Sequence, residues 1–521
     1  MKITLYLIML VAFFGVMIAI GFWCRKKSTS TEGFLLGGRS VGPWLTAFAY
    51  GTSYFSAVVF IGYAGQFGWK FGVASTWIGI GNAILGSLLA WVVLGRRTRV
   101  MTRHLDSKTM PEFFEKRYSS KALKLVAAII IFIFLIPYTA SLYNGLSRLF
   151  AMAFDIPFEV CVIVMAVLTA IYVIAGGYMA TAINDFIQGI IMLFGIVAVI
   201  VAVIQSHGGW YQIFADLSAI EGTNAGGITQ EGVFTSFFGP DVVNLFGVIV
   251  LTSLGTWGLP QMVQKFYAIK DEAAIKKGIV ISTVFAFVVS GGCYFLGGFS
   301  RLYPDAANDG FDAIIPAMLS ELSPVLIGLV IVLVLSASMS TLSSLSLASA
   351  STVTIDLVKP AFHKDMNEKQ QVLWMRALIV VFIAISAIIA IVQYHSADAF
   401  IAQMMGISWG ALAGAFLAPF LYGLYSKRTT KASVWFCFAY GVGVMLVYLV
   451  MKLTNTVSVL PALLQSPLNL GSIVMLSSLV LTPLISLIGK KPDEKKTEEI
   501  FSCYEKKETV PAKTVLVDED Q

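Results

Sequence analysis

The chain has 521 residues, 57% of them hydrophobic and only 13% charged, with a mean hydropathy of +0.81. This composition describes a polytopic membrane protein and excludes a soluble enzyme built on a buried core. Its net charge of +6 is what loop lysines and arginines at one membrane face produce, so it calls for no nucleic-acid partner.

Apolar stretches long enough to cross a bilayer fall near 4–24, 43–66, 71–95, 123–147, 157–175, 180–205, 242–266, 276–299, 324–353, 371–394, 400–425, 432–451 and 467–488, thirteen spans in all. Basic residues concentrate in cytoplasmic loops. Placing the N-terminus outside leaves only Lys2, Lys70, Arg148, Arg301 and Lys452 of the 36 basic residues on the outer side. This predicts a multi-pass protein of the cell membrane, N-terminus outside and C-terminus cytoplasmic.

In chain order, span one is followed rather than preceded by its charges (Arg25, Lys26, Lys27), so it reads as an uncleaved helix and not a signal peptide. Span two contains AYGTSYFSA (49–57), where Gly51, Thr52, Ser53, Tyr54 and Ser56 interrupt the apolar run. Span three carries Gly79, Ala83, Gly86 and Ala90 on one face, a helix-packing pattern. Asp185, beside Asn184 and Gln188, is the acidic residue set well inside a span boundary, which makes it a functional candidate. The alternative is a carboxylate that caps a helix start or pairs with a cytoplasmic arginine. The 206–241 loop has no Lys or Arg.

Span seven is broken by Gly255, Gly258 and Pro260 in LTSLGTWGLPQ (251–261). The 300–323 segment, with Phe311, Ile314, Ile315 and Met318, is either a short amphipathic gate helix or a loop cover. Span nine ends in LSASMSTLSSLSLASAST (335–352), a dense set of hydroxyls where the bilayer offers no water. On a helix Ala337, Ser340, Thr341 and Ser344 share one face. Oxygens gathered this way suit a small hard cation, although small residues also serve close helix packing. The polar, mixed-charge tail 489–521 is predicted to be disordered. The five cysteines form no CxxC and the four histidines lie in loops or span ends, so neither zinc, a disulfide framework nor a histidine proton relay is indicated.

The interruptions in spans two and seven lie five spans apart. An odd repeat length inverts the second repeat in the membrane, so a broken helix opens each half, the pattern of a transporter whose unwound backbone lines a midplane site. Gly and Pro as simple kinks in packed helices are the plainer alternative.

Four strings together resemble the sodium:solute symporter family, the group of the proline, pantothenate and sodium/glucose carriers. FLLGGRSVGPW (34–44) is similar to the segment leading into the family's second helix, AGGYMATAINDFIQG (175–189) to its GG…A…TD..Q signature, SASMSTLSS (336–344) to its sodium-site helix, and WGALAGAFLAPFLYGLYSKRTTKAS (409–433) to its tenth core helix. The resemblance implies an all-α LeuT-type fold: an extra helix in 1–30, five-helix repeats in 31–205 and 242–430 separated by an extracellular loop (206–241), two further helices in 431–488 and a cytoplasmic tail. It implies a sodium ion as the coupling ion, held by backbone carbonyls of Thr52, Phe55 and Ala337 with the hydroxyls of Ser340 and Thr341. It also implies a sodium exit path, or a second sodium position, at Asp185, Ser343 and Ser344.

The solute, a small organic molecule, is expected between the two breaks. Its candidate contacts are Tyr54, Ser56 and Ala57 on span two, Tyr138 and Tyr143 on span four, and Trp257, Pro260 and Gln261 on span seven. Tyr54 stands where the proline carriers have an aspartate, which argues against proline. GLPQ (258–261) and NDFIQGIIML (184–193) look closer to pantothenate-type members, with other amino acids and monocarboxylates open. The expected function is sodium-coupled import by alternating access, without an enzymatic constellation or organic cofactor. A proton-coupled or uncoupled carrier on the same scaffold is the first alternative and a channel or transporter-like sensor the second.

Overall fold

The computed structural model describes residues 2–25, 29–154, 156–308, 310–362, 365–395 and 401–505. Nearly all of the chain in these segments is helical, apart from a two-stranded hairpin (Gly222–Thr223 with Thr229–Gln230) in the long 206–241 connection. Counted by length and apolarity alone, the described residues give ten membrane-crossing helices, or eleven with the bent pair Val242–Gly258 and Pro260–Tyr267. That falls short of the thirteen spans expected.

The difference has a structural reason. Two helices run on without interruption for 47 residues (Val58–His104) and 49 residues (Phe158–Ser206). At 1.5 Å per residue each would measure roughly 70 Å, more than twice the ~30 Å hydrocarbon thickness. Each contains a glycine outside helical geometry: Gly72 (φ 61, ψ −144) and Gly177 (φ 56, ψ −156). A Cβ at Gly72 would lie 2.1 Å from the Phe234 carbonyl oxygen, and one at Gly177 2.8 Å from the Phe34 ring. Glycine is required at both corners by backbone angle and by space. The corners fall at the boundaries expected between spans two and three and between spans five and six.

Span two divides into the Pro43–Tyr54 helix and a second helix beginning at Val58, because Phe55 is extended (φ −108, ψ 133). Span seven divides at Leu259 (φ −83, ψ 124), and Pro260 starts the second half at a 49° bend. Proline at the first helical position has no N–H to leave unpaired, so the break is inexpensive there. The two broken spans are tied together at one end of the bundle: the Val41 N–H donates to the Ala268 carbonyl (3.2 Å) and the Lys270 N–H to the Val41 carbonyl (3.1 Å).

Arginines organise that same end by donating to loop carbonyls. Arg39 reaches Ser107 (2.7 Å), Arg99 reaches Ile269 and Lys270, Arg97 reaches Leu424, and Arg117 reaches Gly423 and Ser426. Burial lowers the Arg39 pKa from its ordinary value, and Glu32, 3.2 Å away, works in the opposite direction.

The Pro324–Thr352 helix, span nine, is the centre of the molecule: every residue from 330 to 352 is buried. It packs on spans one, two, four, six and ten, so a one-sided apolar stripe would serve no purpose. The Phe311–Ser320 helix buries Ile314, Ile315 and Met318 against the start of the second half of span two.

The tail departs from the expectation of disorder. Asp493 caps a Glu494–Phe501 helix, and Ile500, Phe501 and Cys503 are buried. Arg97 lies over the rings of Tyr425 (4.0 Å) and Tyr504 (4.6 Å), docking the segment on the bundle. A hydrophilic average over the tail conceals the short apolar edge formed by Ile500, Phe501 and Tyr504. Residues 506–521 lie outside the described residues, as do Lys26, Lys27 and His363.

Candidate functional site

The breaks in spans two and seven face one another across the bundle, and span nine lies alongside span two. Where span two unwinds, backbone carbonyls lose their helical N–H partners and must find others. The Thr52 carbonyl accepts from the Phe55 N–H (3.2 Å) and from Ser340 Oγ (3.0 Å), and the Phe55 carbonyl accepts from Thr341 Oγ1 (3.1 Å). Both hydroxyls also lie 3.2 Å from the Ala337 carbonyl of their own helix. Five uncharged oxygens from Thr52, Phe55, Ala337, Ser340 and Thr341 therefore converge, and all five residues are buried.

This donor set fits a small hard cation. At ~2.4 Å from each oxygen, an ion of that kind needs neighbouring oxygens ~3.3 Å apart, close to the 3.0–3.2 Å separations here.

Asp185, Ser343 and Ser344 are only partly brought together. Ser343 turns to its own helix and donates to the Ser340 carbonyl (2.8 Å). Ser344 Oγ lies 2.9 Å from Ser53 Oγ and accepts from Lys265 Nζ, also at 2.9 Å. That ammonium stands 3.7 Å from Asp185 Oδ2. Counting Lys265 among the cytoplasmic loop charges overlooked it: the whole Pro260–Tyr267 half-helix is buried, and the lysine is 2% exposed. One signal was available, since Lys265 follows Gln261 by four residues in a half-helix that starts immediately at the proline. Asp185 is also not alone as a buried acid. Asp356 is fully buried 3.5 Å from Lys124, because span nine continues to Phe362, and Asp312 is buried 4.0 Å from Arg148.

The candidate solute contacts surround the breaks. The Tyr54 hydroxyl donates to the Thr252 carbonyl on span seven, and its ring tip lies against Gly86 of span three. Trp257 Nε1 donates to the Leu85 carbonyl (3.1 Å). Ala57 packs on Gly145 of span four, and Tyr138 meets Trp409 edge-to-face at 5.7 Å. Pro260 instead lines a narrow cleft with Met110, Tyr267 and Thr352, towards the arginine-rich end.

A network that the sequence did not reveal joins spans three, seven and eight. Asn82 Oδ1 accepts from Thr252 and Ser253 (3.0 Å each), and its amide donates to Ser290 (3.1 Å). Three buried candidates hold polar atoms without a hydrogen-bond partner among the described residues: Ser56 Oγ, the Tyr143 hydroxyl, and both the oxygen and nitrogen of the Gln261 carboxamide. Buried polar groups are almost always partnered, so this group marks a place built for a polar ligand.

The model of the sodium:solute symporter family matches residues 34–438. The chain belongs to that family. Among sodium:solute symporters it resembles the osmoregulated proline transporter OpuE of Bacillus subtilis (strain 168), with 27% identity over 504 residues that cover 95% of this chain and 96% of the relative. It is 30% identical over 436 residues to the sodium/proline symporter of Staphylococcus aureus (strain NCTC 8325 / PS 47), covering 82% of each chain. In structure it is similar to a Na+-coupled sialic acid symporter in a substrate-bound outward-open state, with a TM-score of 0.73, 17% identity, and coverage of 94% and 98% of the two chains. The fold is therefore LeuT-type. As a sodium:solute symporter, the chain is a sodium-coupled importer of a small solute and not an enzyme.

Proposed function

We propose that this symporter couples one carboxylate-bearing solute, of the amino-acid, pantothenate or monocarboxylate class, to sodium bound by Thr52, Phe55, Ala337, Ser340 and Thr341. The observation that carries the reading is the pair of hydroxyl-to-carbonyl contacts between span nine and the unwound part of span two. Sodium takes up the lone pairs of the same five oxygens while the hydroxyl protons rotate away. The ion then fastens a helix break to the central helix, and losing it frees that break. This is how ion occupancy controls access to a midplane cavity.

The solute lies beside this break, its polar head on Ser56 and Gln261 and its apolar part among Tyr54, Ala57, Tyr138, Tyr143, Trp257 and Pro260. Relatives named as proline transporters support an amino-acid solute, whereas Tyr54 in place of an aspartate turns the site away from proline itself. The chain sits in the cell membrane with its N-terminus outside and its C-terminus in the cytoplasm, since the arginine-rich end then faces inward. Repeats 31–205 and 242–430 form the transport core, with 1–30 before it, 206–241 between its halves, and 431–488 and the tail after it.

One sodium entering down about 100 mV releases roughly 2.3 kcal/mol, enough to concentrate a neutral solute some tens-fold. The deciding experiment reconstitutes purified protein in liposomes and follows labelled proline, pantothenate, short monocarboxylates and sialate with and without an inward sodium gradient. Uptake of one of them only with the gradient is expected. Uptake indifferent to sodium would instead identify a proton-coupled or uncoupled carrier.

A further inference from the structure

Lys265 places its ammonium at the position expected for a second cation. The nitrogen is 2.9 Å from Ser344 Oγ, 3.7 Å from Asp185 Oδ2 and 5.2 Å from the centre of the Tyr178 ring. A carboxylate, a hydroxyl and an aromatic face make a complete setting for a buried positive charge. The lysine reaches it because the break at Leu259 turns the Pro260–Tyr267 half-helix by 49° towards the core. Ser344 also contacts Ser53 Oγ. The ammonium therefore lies one residue along span two from Thr52 and one turn along span nine from Ser340.

We propose that Lys265 is a tethered cation that fills the Asp185 and Ser344 position, leaving this symporter a single exchangeable sodium. The inference rests on reading Ser340 and Thr341 as sodium ligands. A sodium ion entering beside Asp185 would have to displace a charge that is covalently held at high effective concentration. Left in place, that charge would repel the ion across a low-dielectric interior. Asp185 is neutralised at every stage of the cycle, so it loads no ion. Each cycle with a neutral or zwitterionic solute then moves one net positive charge. Each cycle with an anionic solute moves none and gains nothing from voltage.

The test counts sodium ions bound by the purified full-length protein, using radioactive sodium alone without solute. Wild type is expected to bind one ion per chain with a Hill coefficient near one. Lys265→Met keeps the side-chain length and removes the charge, so it should bind two, and Lys265→Met with Asp185→Asn should return to one. Two ions in wild type, or one ion in folded Lys265→Met, overturns the proposal. Lys265→Gln serves as a second neutral variant; if neither folds, the wild-type count decides, one ion supporting the proposal and two overturning it. Failure of the underlying sodium assignment looks different: Ser340→Ala and Thr341→Ala would then bind sodium as wild type does.

Discussion

The Ser340 hydroxyl donates to the Thr52 carbonyl across 3.0 Å, linking residues 288 apart in the chain. One helix break and one hydroxyl face thus satisfy each other, and a cation can replace the bond without either backbone moving far.

Thr341→Ala removes one of five oxygens and leaves the Phe55 carbonyl without its side-chain donor. A contact to a charged group is worth about 1.5–3 kcal/mol, so the sodium concentration for half-maximal uptake should rise at least about tenfold. A sodium titration of uptake in proteoliposomes checks this, and an unchanged half-maximum in folded protein would remove Thr341 from the ligand set. Ser340→Ala should behave alike.

Gln261→Leu separates stability from function. Both polar atoms of this carboxamide are buried without a partner, and burying such a group costs about 1–3 kcal/mol. The variant should unfold at the same temperature as wild type or higher, while its solute KM rises about tenfold or more. Thermal unfolding in detergent, measured beside uptake, distinguishes this from a structural role, for which both would worsen.

Gly177→Ala forces a Cβ into the Phe34 ring and carbonyl at a backbone angle that L-residues rarely adopt. Strain of about 1–3 kcal/mol, added to the clash, should lower the yield of monodisperse protein in size-exclusion chromatography. Gly15→Ala, with nothing within 4 Å of the added methyl, should leave that yield unchanged.

Tyr504→Ala removes a ring from Arg97 and the hydroxyl bonds to the Arg97 and Leu424 carbonyls. The Glu494–Phe501 helix should detach, so limited trypsin digestion should cut at Lys495 and Lys496 several-fold faster than in wild type. Sodium dependence of uptake should stay as in wild type, because the segment packs far along the chain from both helix breaks.

The bilayer made much of the site legible. Hydroxyls at Ser340 and Thr341, and the glycines and proline around 255–260, stand out against an apolar background because lipid tolerates few polar groups without a purpose. Lys265 escaped for the converse reason: a lysine near a predicted span end is read as topology, and only the bend at Leu259 reveals that its residue turns inward. The Asn82 network was hidden too, because its partners Thr252, Ser253 and Ser290 come from three spans with no shared spacing. Span number was legible from hydropathy, whereas the corners at Gly72 and Gly177 join neighbouring helices so smoothly that counting helices by length gives fewer.

The two backbone bonds between Val41 and the 268–270 segment have a mechanical meaning. They act as a short hinge-pin that couples the entrance of one bent helix to the exit of the other. A rocking motion that opens the arginine-rich end must swing both bent helices as one lever or shear the pin. Motion of the solute chamber is thereby geared to a rigid pair rather than to either helix alone.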